Sequence, residues 1–373
     1  MKTICLVILT IGACLDSNFA VAQTPKTNID SLINGMGSRF VTRPGAVGLS
    51  VGLFYNGIDR TYNFGSVRKG ADIKPTSETV YAIGSIGKTF ISLVLAHAVL
   101  EKRVRLNDDI RKYLKGNYPN LEYNGKPVTL QHLANTTSAL PENLLTLPEY
   151  SVNLPADSIK ILRAKIGSLY SRQDFFEALH RVKLDTMPGT KARHNNCAPQ
   201  LLAFILENVY KKTYTDLVEQ YILTPLEMTR TTYLEPGALP GSFALGYDIN
   251  GNKTTFLSSP TLAASGGMTS TVNDLLKYIH LQLKKDDSAI AMSHQKMFKP
   301  DIYAIGLNWL IYRYDDGYSQ VWTDGSTLGF SGFIIVYPEL SCGMVLLTNE
   351  ADNTSYQKLS SFADKIFNAL KQK

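Results

Sequence analysis

The 373-residue chain is poor in the features that mark several protein classes. It has four cysteines, and Cys5 and Cys14 fall in or beside the leading apolar stretch. That leaves Cys197 and Cys342, read as two buried thiols, with one disulfide between them as the competing reading in an oxidising compartment. Neither C-x-x-C nor H-E-x-x-H occurs and the six histidines are dispersed, which argues against a metal site. The net charge of +6 comes from scattered Lys and Arg without a dense basic block, so nucleic-acid binding is not expected. No apolar run after the first residues is long enough to span a bilayer. No internal repeat or low-complexity linker divides the chain. A hydrophobic content of 44% with 19% charged residues is that of an ordinary globular protein, long enough for a two-lobed domain.

At the N-terminus, Lys2 precedes an apolar stretch from Ile4 to Leu15, and Ala20-Val21-Ala22 follows. This pattern reads as a signal peptide over residues 1–22, cleaved after Ala22, and predicts an exported, periplasmic or secreted protein. Ile11-Gly12-Ala13-Cys14 loosely resembles a lipobox, the competing reading.

The organising stretch is Val80-Tyr81-Ala82-Ile83-Gly84-Ser85-Ile86-Gly87-Lys88-Thr89, followed by the apolar run Phe90–Leu100. A strand, a glycine turn and a helix would place Ser85 at a helix start. Lys88 lies three residues on, along the same face, as a neighbouring base. Two other readings exist. Gly87-Lys88-Thr89 nearly completes a phosphate-binding loop, but Ala82 stands where its first glycine should be. A serine is also a common helix cap. Ser-x-x-Lys itself recurs at Ser66–Lys69, Ser293–Lys296 and Ser355–Lys358, so spacing alone decides little.

Around this stretch the pattern predicts an amphipathic helix over 27–40, a strand over 46–55, an Asn56-Gly57 hairpin turn and a return strand over 60–67. Residues 142–240 are mainly helical in pattern, including 173–182, 199–210 and 214–222. Thr271–Leu283 is a further helix. Strands follow at 306–314, 320–323, 332–337 and 342–348, then a helix over 356–370. Strands at both ends predict an α/β (α+β) fold, with one antiparallel sheet built from both chain ends and flanked by helices. Residues 23–104 and 285–373 would form the α/β lobe, and 105–284 an inserted, mainly helical lobe, with the active site between them.

Two more constellations sharpen the reading. One is Pro188-Gly189-Thr190-Lys191-Ala192-Arg193-His194-Asn195-Asn196, and the other is Trp322-Thr323-Asp324-Gly325-Ser326 with Gly329 downstream. In order and spacing, with Ser85-Ile86-Gly87-Lys88, they resemble the serine β-lactamase and penicillin-recognising family. The likeness is to its class C-like branch of D-peptidases, esterases and β-lactamases. Leu106-Asn107-Asp108-Asp109, Thr137-Ser138-Ala139-Leu140-Pro141 and Ala264-Ser265-Gly266-Gly267-Met268 with Asn273-Asp274 extend it from about residue 28 to the C-terminus.

The resemblance implies a β-lactamase/transpeptidase-like fold and acyl transfer without cofactor or metal. Ser85 would be the nucleophile and Lys88 its base. His194 would relay a proton where the family has tyrosine, or merely fill that place. Asn196 would hold Lys88 and a substrate amide. The backbone N–H groups of Ser85 and Ser326 would form the oxyanion hole. Thr323, Asp324 and Gly325 stand where the family has K-T-G or H-x-G, so the cation that grips a substrate carboxylate is absent and a negative charge is added. An ester, or a peptide-like amide carrying a free amine, is therefore the expected small-molecule or peptide-like substrate, unless Arg193 restores the positive charge. D,D-carboxypeptidase or β-lactamase activity is one alternative. A catalytically impaired member that binds a peptide or cell-wall fragment is another. Oligomeric state is not legible.

Overall fold

A computed structural model describes residues 28–233, 243–254 and 263–372. The segment read as a signal peptide, with Cys5 and Cys14, lies outside the described residues. Among those residues no helix is long and apolar enough to cross a membrane.

Helix α1 (Ile29–Val41) starts where the Asn28 side chain accepts from the Asp30 and Ser31 amides. The hairpin β1 (Gly48–Tyr55) and β2 (Ile58–Gly65) turns through Asn56 and Gly57, both at positive φ, as the Asn-Gly pair predicts. Strand β3 (Tyr81–Ala82) enters a 3₁₀ turn over Gly84–Gly87, which runs directly into helix α2 (Lys88–Leu100). The middle of the chain carries the small hairpin β4 (Glu122–Tyr123) and β5 (Lys126–Pro127). Helices α3 (Leu130–Ala134), α4 (Ala156–Ser168), α5 (Arg172–His180), α6 (Cys197–Tyr210) and α7 (Tyr214–Val218) follow. Then come α8 (Ala263–Gly266), β6 (Thr269–Ser270), α9 (Val272–Gln282) and α10 (Ser288–Ser293). The chain closes with β7 (Ala304–Ile305), β8 (Leu310–Arg313), β9 (Ser319–Ser326), β10 (Ser331–Tyr337), β11 (Cys342–Thr348) and α11 (Ser355–Lys371).

Seven strands form one antiparallel sheet in the order β2-β1-β11-β10-β9-β8-β7. The first and last long strands are neighbours, Leu49 opposite Thr348, so the sheet joins the two chain ends as the pattern of strands predicts. Period-2 alternation divides the core. Phe333, Ile335, Tyr337, Met344 and Leu346 meet α1 and α11 on one face, whereas Ile334, Val336, Val345 and Leu347 meet α2 and α9 on the other. Helix α9 lies so near the sheet that a Cβ on Gly343 would come within 2.3 Å of the Ile279 side chain.

Two strand expectations change. The stretch 306–314 keeps only β8, because Asn308 turns at φ 57° and separates it from the short β7 that precedes Gly306. Strand β9 runs through Ser326, beyond its expected end at Thr323, because Asp324, Gly325 and Ser326 pair with Phe333, Gly332 and Ser331. Cys197 and Cys342 are both buried free thiols.

Candidate active site

Helix α2 is apolar all round, and Lys88 through Ala96 are buried without interruption, so it is a core helix. Phe90 stacks on Tyr278 of α9 at 4.3 Å, and the Tyr278 hydroxyl donates to Thr89 Oγ1. The start of α2 is therefore fixed from below. Above it, Gly84 at φ 52° brings the 3₁₀ turn against β9, where a Cβ would lie 2.7 Å from the Ser326 amide nitrogen. Gly325 makes the reciprocal contact. A Cβ there would fall 2.0 Å from the Ile83 carbonyl oxygen and 2.9 Å from the Ser85 amide nitrogen. These two glycines hold the Ser85 and Ser326 backbones side by side.

Ser85 lines a cavity of about 440 Å³, a volume suited to a small ligand. Of the four Ser-x-x-Lys serines, it alone does so. His194, Asn196, Asp324 and Ser326 line the same space, with Gly266 and Gly267 at the end of α8. Lys88 is buried beside it. Thr323 is also buried, and Gly325 packs against the turn without lining the cavity.

Three acceptors surround Lys88 Nζ: the Asn195 carbonyl at 2.9 Å, Asn196 Oδ1 at 2.9 Å and His194 Nε2 at 3.3 Å. An ammonium has three N–H bonds, so this set accommodates the charged form fully. Burial nevertheless pushes Lys88 down from 10.5 to about 8, with Asp324 and Glu142 pulling upward. At neutral pH the lysine is mostly charged, but its free amine is within easy reach.

His194 Nδ1 lies 3.2 Å from Glu142 Oε1. With Nε2 facing an ammonium, the consistent tautomer carries its proton on Nδ1 and donates it to Glu142. Desolvation and the Lys88 charge lower the imidazole from its usual range, and Glu142 opposes both. The Glu142–His194 contact faces solvent. Asn195 ties this loop down: its amide donates to the Leu140 and Pro141 carbonyls, and its oxygen accepts from the Ala198 amide. The Asn196 and Cys197 amides both donate to the Glu142 carbonyl. The Thr137–Pro141 turn and the His194–Asn196 loop are thus one unit. Ala139 holds φ 59°, a left-handed conformation that costs an alanine about 1–2 kcal/mol. It stands where the resembling T-S-G-L-P stretch has glycine.

Asp324 carries no side-chain partner among the described residues, and burial raises its carboxyl against the pull of Lys88. Arg193 does not serve the cavity, since its guanidinium takes both oxygens of Asp185 at 2.7 and 2.8 Å on the surface. Sequence reasoning missed Glu142, Asn143 and Asn195. Glu142 directly follows the Thr137–Pro141 stretch, but nothing in its type marks it as the partner of a histidine 52 positions on.

The chain is similar to several known proteins. Residues 34–365 match the beta-lactamase family model. The chain is 27% identical over 318 residues to protein flp of Staphylococcus aureus, covering 81% of this chain but 59% of that relative's length. It is also 27% identical over 337 residues to the D-alanyl-D-alanine-carboxypeptidase/endopeptidase AmpH of Escherichia coli, covering 85% and 83%. In fold it is similar to a beta-lactamase/D-alanine carboxypeptidase from Yersinia pestis. That likeness has a TM-score of 0.76 and 23% identity over 92% of this chain and 98% of the other. A class C beta-lactamase superposes with a TM-score of 0.77 at 20% identity, covering 93% and 98%. With a family match over residues 34–365, most of its length, the chain belongs to the beta-lactamase family.

Proposed function

We propose that the protein is an exported serine hydrolase that acylates on Ser85, acting on an ester or on a peptide-like amide with a free amine. The observation that carries it is the buried Lys88, brought down to about 8 three residues along the turn from a cavity-lining serine whose backbone lies against that of Ser326. The neutral Lys88 amine takes the Ser85 proton as Oγ attacks the substrate carbonyl. Negative charge then develops on the carbonyl oxygen, where the Ser85 and Ser326 amides would donate to it. The proton returns through Lys88 and His194 to the leaving group as the acyl bond breaks. Water, deprotonated along the same route, attacks the acyl carbonyl, and the proton passes to Ser85 Oγ as the acyl group leaves. Asn196 orients Lys88 and offers its amide to the substrate. Thr323 and Gly325 shape β9 behind Asp324. In this reading the site sits between the lobe of residues 23–104 and 285–373 and that of 105–284, although α9 packs on the sheet with the first.

The cavity-facing Asp324 carboxylate supports substrates that bring a cation or a neutral group to that wall. A second reading, D,D-carboxypeptidase or β-lactamase activity, is favoured by the Escherichia coli relative. A third, an impaired member that only binds peptide or cell-wall fragments, rests on His194 standing where the family has tyrosine and on Thr323 standing where it has a cation.

Intact mass after incubation with a fluorophosphonate and with a para-nitrophenyl ester separates them. The expected result is one covalent adduct on wild type, phosphonyl with the first probe and acyl with the second, none on Ser85→Ala, and burst kinetics with the ester. No adduct with any probe supports the binder. Rapid nitrocefin turnover overturns the role given to Asp324.

Glu142 is a positioning residue in this scheme. Glu142→Gln removes the charge that raises His194, so the His194 titration followed by NMR moves to lower pH. The ester rate should fall only about 2–3-fold, because the contact faces solvent. An unmoved His194 titration removes Glu142 from the relay.

A further inference from the structure

Helix α4 brings a cation to the cavity that the motif comparison does not account for. Arg163 lines it together with Asn143, Leu144, Tyr170 and Phe175. Its Nε is buried without a hydrogen-bond partner, and the guanidinium has no ion pair among the described residues. Other arginines with a nearby carboxylate use it: Arg193 takes Asp185, Arg111 takes Asp109 and Glu122, and Arg172 takes Glu207. Asp324 lines the same cavity from β9, yet it does not pair with Arg163. The cavity therefore has a carboxylate on its strand side and, on its helical side, a guanidinium that has no ion pair among the described residues and whose Nε lacks an acceptor. A buried guanidinium donor without an acceptor is costly, and a planar two-oxygen anion matches its fork.

We propose that Arg163 is a specificity-determining residue that receives a carboxylate carried by the acyl portion of the substrate. This rests on the acyl-enzyme reading, and places an acid on the helical wall, opposite the one that Asp324 disfavours. The acyl side is assigned because Asn196, which offers its amide to the acyl group, donates to Asn143 on the Arg163 wall at 3.2 Å. A substrate with an acidic acyl arm and a neutral or cationic leaving part fits both walls. No chemical step is added. The guanidinium supplies binding that persists through acylation.

The test compares two para-nitrophenyl esters of equal chain length, the hexanoate and the adipate monoester, on the full-length protein. Wild type should prefer the adipate in kcat/KM by about 10-fold, the scale of one charge-assisted hydrogen-bonded pair. Arg163→Met should remove that preference, and Arg163→Lys should keep part of it. The ratio of the two esters is the readout, so a general loss of activity cancels. Thermal melts of both variants exclude unfolding as its cause, and the wild-type preference stands as a test without either. A wild type that favours the hexanoate, or a preference that survives Arg163→Met, overturns the proposal. If no ester acylates Ser85 in the intact-mass experiment, the acyl-enzyme reading fails too. Acylation with an unchanged ratio sinks only the role of Arg163.

Discussion

Lys88→Met cuts ester turnover by about 10³-fold, within the range for loss of a general base, and at the same time leaves the protein as stable or more stable near neutral pH. The two effects have one cause. Lys88 is held at about 8 in the fold against an ordinary 10.5, so the folded state disfavours its charged form. Between those values the unfolded chain binds more protons than the folded one, and stability rises with pH across that window. Below about 8 the burden of the buried charge is fully present. From the shift it amounts to roughly 3 kcal/mol. Methionine, of similar length and uncharged, relieves it.

Against this stands the loss of donors to three acceptors. His194 Nε2 and Asn196 Oδ1 border the cavity and regain partners from water, so the buried Asn195 carbonyl is the one left short, at about 1–3 kcal/mol. The balance is near zero or favourable. Thermal melts at pH 6.5 should therefore place the variant at or above wild type, and any advantage should shrink as pH climbs from 8 towards 10.5. A variant clearly less stable than wild type at pH 6.5 would mean that the three hydrogen bonds outweigh burial, and that Lys88 is held for structure. The wild-type rate follows the same group. kcat/KM for a neutral ester should rise with pH and level off with an apparent pKa close to 8. A plateau already complete by pH 6.5 would transfer the base role to His194.

How much of this was legible in the sequence depended on whether a signal was local. The Asn56-Gly57 turn, the largely apolar α2 and the near-continuous apolar runs of β10 and β11 declare themselves within a few residues, because backbone conformation and burial decide them. Ser85 and Lys88 were found because a strand, a glycine turn and a core helix coincide there. What escaped is non-local. Arg163 enters the cavity from a helix with weak periodicity, and Glu142 meets His194 only because Asn195 binds the Leu140 and Pro141 carbonyls. Arg193 looked equally available in the sequence and is spent on Asp185. The length of β9 was underestimated because Asp324 and Gly325 are poor strand formers alone, and cross-strand pairing with Phe333 and Gly332 overrides that preference.

Gly325→Ala should be the most damaging single methyl group that can be added near the site. The new Cβ would fall 2.0 Å from the Ile83 carbonyl oxygen, 2.9 Å from the Ser85 nitrogen and 2.9 Å from the Ile86 nitrogen. All three are backbone atoms, so no side-chain rotation relieves the clash. Either β9 lifts off the 3₁₀ turn or the turn retreats towards α2. The second route is blocked by the buried packing of Phe90 on Tyr278. Strand β9 must then move, and the Ser326 amide moves with it. The loss of one oxyanion donor accounts for about 10²–10³ in rate, and displacing the turn adds to it, so acylation should fall by at least about 10³-fold. Overpacking at this contact should cost about 1–3 kcal/mol of stability. Gly87→Ala is the counter-case within the same turn. Gly87 has helical φ and ψ of −57° and −20°, and its Cβ would meet only the Met268 side chain, at 3.4 Å. There alanine should stabilise by about 0.4–1 kcal/mol through the unfolded chain. Melting curves of the two variants should thus move in opposite directions. A Gly325→Ala protein that acylates at the wild-type rate would show that Ser326 does not serve the developing oxyanion.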